Sequence, residues 1–126
     1  ELVLVKNPAG FRLALASFDP ANYATMIAIN DAYADGRDMS WLWDVDFDSL
    51  QEQGVTAVSG VRAYDMALRL EYDEVPIDFV DTGLAVALRQ LIAKHTRQPK
   101  RIYCSYTAML ALRRLLACYT DVEEIR

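Results

Sequence analysis

A chain of 126 residues with 53% hydrophobic residues has the length of one ordinary domain and enough apolar side chains to bury a core. Its formal charge of −5, with no clustered basic face, argues against a nucleic-acid partner. No stretch approaches the roughly 20 consecutive apolar residues that span a bilayer and no signal-peptide pattern opens the chain, so a soluble, cytoplasmic domain without a transmembrane segment is expected.

Residues 2–5 read as a buried strand, broken by Lys6-Asn7-Pro8-Ala9-Gly10 before a short helix over 11–18. A chain that opens inside a strand is expected to be part of a longer polypeptide. A second apolar, β-branched run covers 23–29 and ends at Asn30-Asp31. After an irregular stretch the rhythm becomes regular from Gly54. Strands over 55–59, 77–80 and 101–105 alternate with helices over 62–72, 84–95 and 107–119. Ala85, Leu88, Leu91 and Ile92, and likewise Met109, Leu112, Leu115 and Leu116, recur with the period of a one-sided core stripe. This βα alternation predicts an α/β, three-layer Rossmann-like domain with a mostly parallel sheet of about five or six strands. Cys104 and Cys118 lie in apolar surroundings without C-x-x-C spacing, which predicts buried, reduced thiols and no metal or redox motif. His95 closes a helix, where a cation is favourable, and reads as structural.

Ligands of open parallel sheets sit beyond the carboxyl ends of the strands. The candidate loops therefore start after Val5, Ile29, Ser59 and Ser105, and the second is the longest. Residues 30–48 pack six acidic residues and both tryptophans into nineteen positions, with neither helix nor strand periodicity. A merely solvated acidic loop has little use for two tryptophans, whose large apolar surfaces belong in a core or an interface. The spacing of an EF-hand is not met, so no metal site is expected. Trp41 and Trp43 alternate, and in an extended segment one would enter the core while the other meets a partner.

Asn30-Asp31, Tyr33-Ala34-Asp35-Gly36-Arg37-Asp38, Ser40-Trp41 and Trp43-Asp44-Val45-Asp46-Phe47 strongly resemble the loop of the MurT family, N-D-N-x-A-D-G-R-D-x-S-W-x-(W/Y)-D-x-D-F. The flanks are similar too: Lys6 to Gly10 to its K-N-P-A-G, Gly60-Val61-Arg62-Ala63 to its G-x-R-A, and Tyr106-Thr107 with Met109-Leu110 to its Y-T-x-(M/L)-L. The resemblance covers essentially the whole chain, and Ala32 departs from it where asparagine is usual.

The resemblance implies a single Mur-ligase-type C-terminal domain over 1–126, a part of a protein whose ATP-binding central domain lies outside it. That central domain would hold the P-loop and a four-cysteine zinc site. This chain has no G-x-x-x-x-G-K-(S/T) sequence and two cysteines, so no cofactor is expected within it, while ATP, Mg²⁺ and a structural zinc are expected for the full-length protein. The implied partner is a GatD-like glutamine amidotransferase subunit. The implied substrate is lipid II at the inner face of a bacterial membrane, whose D-glutamate is amidated. The family's aspartate that completes the partner's Cys-His pair falls on Asp38, the catalytic candidate. Asp31, Asp35, Arg37, Ser40, Trp41 and Asn7 are the candidates for contact with substrate or partner. For Asp31 and Asp35 the capping of loop amides weighs equally, and Arg37 reads first as a latch to a neighbouring carboxylate. By itself the chain is expected to show neither ligase nor glutaminase activity. Two alternatives stand: a self-standing flavodoxin- or receiver-like binding module, and the C-terminal domain of another Mur-type amino-acid ligase.

Overall fold

The computed structural model describes residues 1–124, with side chains through Tyr119. In chain order the elements are β1 (Leu2–Leu4), α1 (Pro8–Ser17), β2 (Ala24–Ala28), three 3₁₀ turns (Tyr33–Asp35, Ser40–Asp44 and Asp48–Leu50), β3 (Val55–Ser59), α2 (Ala63–Tyr72), β4 (Ile77–Val80), α3 (Leu84–Lys94), β5 (Lys100–Cys104) and α4 (Tyr106–Glu124). Among the described residues the five strands form one sheet in the order β1-β5-β2-β3-β4, and each pairing is parallel. The α/β class and the strand count thus match the reading from sequence.

The layering follows from the direction of the crossovers. α1 and α2 belong to connections that run toward β4, whereas α3 belongs to the return from β4 to β5. Right-handed crossovers of opposite direction must lay their helices on opposite faces. Accordingly Ile27, Ile29, Val58 and Tyr103 pack with Phe11 of α1 and with Met66 and Leu70 of α2. Met26, Ala28, Ala57, Ile102 and Cys104 pack instead with Leu88 and Leu91 of α3 and Leu112 of α4. β2 and β3 are buried along their whole length, which is why they read as mostly apolar runs of small and β-branched residues rather than alternating ones.

Two details depart from the sequence reading. Helix α1 begins at Pro8, not at residue 11, because Asn7 is its N-cap and accepts the Gly10 amide at 2.8 Å, with proline at the first helical position. Cys104 is buried, but Cys118 is exposed, because α4 turns Leu112 toward the sheet and Cys118 toward solvent.

The connection from β2 to β3 contains no α-helix. Met39, Leu42, Val45, Phe47 and Leu50 are all buried in the same core as α1 and α2. The segment that looked irregular therefore fills the place of a crossover helix on that face, with single 3₁₀ turns supplying the bends. Arg69 of α2 fastens it. Its buried guanidinium donates to the carbonyls of Leu42 and Val45 and pairs with Asp73 at 2.8 Å.

Candidate functional site

The carboxyl ends of β2 and β5 lie side by side, and the chain leaves them toward opposite faces of the sheet. Such a parting of neighbouring connections opens a crevice at the strand ends. Asn30 occupies its floor. Its amide donates to Ser105 Oγ at 2.8 Å, its side-chain nitrogen donates to Thr107 Oγ1 at 3.1 Å, and its side-chain oxygen accepts the Val61 amide at 2.9 Å. One asparagine thus ties together the loops after β2, β3 and β5.

Above this floor Asp35 accepts the Thr107 backbone N–H at 2.7 Å, the Thr107 hydroxyl, and the Ala32 amide at 3.1 Å. The carboxylate sits on the first turn of α4, where the helix dipole and free amides attract a negative charge. The chain's own acid fills the place that a ligand phosphate takes in many nucleotide-binding sheets. Asp31 turns the other way and pairs with Arg62 at 3.4 Å, and Arg62 also lies 2.8 Å from Asp65 in the first turn of α2.

Asp38 lies farther out on the same loop and is exposed. The Ser40 amide donates to its Oδ1 at 3.0 Å. That amide, then the Ser40 hydroxyl and the charge of Arg62, hold the Asp38 carboxyl below the ordinary aspartate range against a small opposing cost of desolvation. Asp38 is thus an ionised, oriented and solvent-facing acid. Arg37 makes no ion pair among the described residues, contrary to the latch expected from sequence. Its guanidinium lies 5.0 Å from the Tyr33 ring centroid, an exposed cation–π contact made where Gly36, at φ +82°, reverses the chain.

The tryptophans divide, though not by strand alternation. Trp41 packs edge-on against Phe11 at 6.3 Å and joins the core. Trp43 remains half exposed, edge-on to Tyr72 at 5.2 Å and 5.2 Å from the Arg69 guanidinium. Of the residues singled out in the sequence, Asp31, Asp35 and Asp38 gather around the strand-end loop, with Ser40 as the clamp of Asp38. Trp41 supports the loop from below. Asn7 stands apart, spending its side chain on α1 with no hydrogen bond to the acidic loop among the described residues. His95 caps α3 and lies 3.0 Å from Thr56 Oγ1 through Nε2.

Sequence reasoning gave no site role to Arg62, Arg69 or Asp73. Asp73 accepts the Phe47 amide at 2.8 Å and stands with Asp46 and Asp48 in an acidic group whose ligand atoms lie within 4.8 Å of one another. Burial opposes ionisation of Asp73, yet Arg69 and the Phe47 amide outweigh it and hold its carboxyl below the ordinary range. Asp48 moves up, chiefly through its hydrogen bond with Asp46. These internal partners account for the group. The residues present do not fit a structural zinc: Cys104 is buried on β5, its thiol pushed up to about 12 by burial, and Cys118 is exposed on α4.

Fold and loop together define a Rossmann-like domain of the Mur ligase C-terminal type. A family model described as MurT ligase C-terminal matches residues 4–109, and the chain belongs to that family. It is 34% identical over 121 residues, 92% of this chain and 27% of the relative, to the lipid II isoglutaminyl synthase (glutamine-hydrolyzing) subunit MurT of Streptococcus pneumoniae. To the protein of the same name from Staphylococcus aureus strain COL it is 40% identical over 81 residues, 61% of this chain and 18% of the relative. The chain therefore spans about a quarter or less of the length of these curated relatives. Both relatives carry the name of a glutamine-hydrolysing ligase subunit. No helix among the described residues is long and apolar enough to cross a membrane.

Proposed function

We propose that this chain is the C-terminal domain of the synthetase subunit of a lipid II isoglutaminyl synthase, and that Asp38 completes the catalytic apparatus of a GatD-like glutamine-hydrolysing partner. The names of the relatives support the reaction class. The observation that carries the role of this domain is Asp38 itself: exposed, ionised and held by Ser40 on the strand-end loop. A carboxylate has about four acceptor positions, and Ser40 takes up two at most. The rest face outward, where a partner's imidazole N–H can bond to them.

In this reading glutamine is hydrolysed by a cysteine–histidine pair in the partner. The thiolate attacks the side-chain amide carbon of glutamine, ammonia leaves, and water then releases glutamate. Asp38 accepts the N–H of the partner's histidine, fixes its tautomer and stabilises the imidazolium formed as the thiol loses its proton. Hydrolysis then depends on association, which keeps ammonia from being wasted. The D-glutamate carboxylate of lipid II is too poor an electrophile for ammonia, and ATP, bound with Mg²⁺ by the polypeptide outside this chain, supplies its activation. The structural zinc is assigned to that same outer part. This domain helps to close the substrate site from its strand-end side, with Asp31 and Arg62 flanking the entrance. The reaction takes place in the bacterial cytoplasm, at the inner face of the membrane.

The reading is tested with the full-length protein and its glutamine-hydrolysing subunit, supplied with lipid II, ATP and glutamine. Mass spectrometry of the stem peptide should find D-isoglutamine in place of D-glutamate. Addition of a free amino acid to the stem, with no amidation, would instead identify an amino-acid ligase of the Mur type and overturn the proposal.

A further inference from the structure

Helix α2 turns one face to the core through Ala63, Met66 and Leu70. Its opposite face is not polar. Tyr64, Leu68 and Tyr72 follow at i, i+4 and i+8 and are 67%, 52% and 73% exposed, and Val61 extends the row at the N-terminal end with 63% exposure. Trp43, 45% exposed, stands edge-on to Tyr72 and joins the row from the 3₁₀ segment. An amphipathic helix on a finished surface carries charged residues on its outer face. A continuous row of five large apolar side chains marks an interaction surface instead.

The row is anchored at one end and has a definite border. Trp43 is held against the guanidinium of buried Arg69, which is itself fixed by the Leu42 and Val45 carbonyls and by Asp73. Aromatic side chains fixed in advance lose little freedom on binding and form the anchors of interfaces. At the other end, Val61 and Tyr64 flank Arg62, whose charge reaches Asp38 and which pairs with Asp31 and Asp65. The row therefore begins beside the strand-end acids. Both cations of this element, Arg62 and Arg69, are committed to acids, while Asp38, Asp44, Asp65 and Glu71 lie exposed along its edges. Its counterpart must be apolar with a basic border.

We infer that Val61, Tyr64, Leu68, Tyr72 and Trp43 form the docking surface for the glutamine-hydrolysing subunit. The inference rests on the reading of Asp38 given above. The row begins beside Arg62, which pairs with Asp31 on the same loop that carries the acid proposed to meet that subunit's histidine, and the relatives are named as subunits of a glutamine-hydrolysing enzyme. Docking along α2 gives the partner an extended anchor, and the Asp38 loop then needs to supply only the acid. The surface fixes the register between the two catalytic sets.

The test uses the full-length protein and its glutamine-hydrolysing subunit. Leu68→Glu and Tyr72→Glu place charges on exposed positions and should leave thermal unfolding unchanged. Each should weaken association by about tenfold or more, measured by biolayer interferometry, with Leu68→Met near the parent and Gln90→Glu on α3 as the unaffected control. Glutamine hydrolysis by Leu68→Glu should return at saturating subunit, because the acid is intact. Unchanged affinity in both charge variants overturns the inference. So does self-association of the full-length protein that Leu68→Glu abolishes, or failure of hydroxyl radicals to label the Tyr64 and Tyr72 side chains before the subunit is added, since then a second copy or the protein's own remainder covers the row. Asp38→Asn separates the two claims. If it keeps normal hydrolysis while Leu68→Glu loses association, the triad reading fails and the docking surface stands; the reverse pattern removes the docking surface alone.

Discussion

Asp35 and Thr107 are 72 residues apart in sequence, yet the carboxylate of one accepts both the backbone N–H and the hydroxyl of the other. This contact closes the strand-end loop onto the first turn of α4 and makes Asp35 a structural acid. Asp35→Ala should destabilise the domain by about 1–2 kcal/mol in urea unfolding, the usual cost of removing a helix-capping side chain. Asp35→Asn keeps an acceptor for the Thr107 amide and should be milder. In the assembled enzyme it should reduce glutamine hydrolysis far less than Asp38→Asn does. A loss of turnover without any loss of stability would contradict the structural role.

Arg69 and Asp73 fasten the 3₁₀ segment from below. Removing the acid leaves a buried guanidinium with two carbonyls and no counter-ion, so Asp73→Ala should cost about 2–4 kcal/mol. The pH dependence follows from the direction of the shift. Asp73 is held below its ordinary value in the folded chain, so its contribution is complete above the unfolded carboxylate range and is lost as pH falls through the folded value. The stability gap between parent and Asp73→Ala should be wide at pH 7 and shrink below about pH 4. A gap that stays constant down to pH 3 would show that the charge of Asp73 does not hold the segment.

Two glycines separate steric from conformational cost. At Gly60, φ is +93° and an added Cβ would stand 2.3 Å from the Ile29 carbonyl oxygen, in a turn whose backbone is bonded to the end of β2. At Gly36, φ is +82° and nothing lies within 4 Å. Gly60→Ala should therefore cost about 2–4 kcal/mol, and Gly36→Ala about 1 kcal/mol from backbone strain alone. Thermal unfolding of the two variants checks the order, and equal losses would contradict it.

The sheet and its helices were legible because β2 and β3 are mostly apolar and β-branched, and α3 and α4 carry a helical stripe. The 3₁₀ segment was not. Met39, Leu42, Val45, Phe47 and Leu50 are spaced by two or three residues, which matches neither the α period nor strand alternation, so their place in the core left no periodic trace. Trp41 and Trp43 separate because two residues of a 3₁₀ turn point about 120° apart, not because of an extended strand. Arg69 reads as an ordinary surface cation of an amphipathic helix. Its burial depends on carbonyls more than twenty residues away, which no local pattern announces. The strand-end acids stand out by composition and loop position rather than by a period, the resemblance separated Asp38 from Asp35, and the clamp of Asp35 by Thr107, 72 residues away, left no local trace.

The proposed role of Asp38 is to serve a partner's histidine, and Asp38→Asn in the full-length protein, complexed with the proposed glutamine-hydrolysing subunit, tests it most directly. Asparagine is nearly isosteric, and Asp38 is exposed, so fold and complex should survive. The measurement is glutamine hydrolysis beside amidation supplied with free ammonia. Hydrolysis should fall by several orders of magnitude, on the order of 10³–10⁴, as expected when the acid of a working triad loses its charge. Ammonia-fed amidation should continue, because in the proposed reaction activation of the D-glutamate carboxylate does not use this acid. Near-normal glutamine turnover in a verified Asp38→Asn complex would contradict the account and leave Asp38 as a residue that shapes its own loop through Ser40.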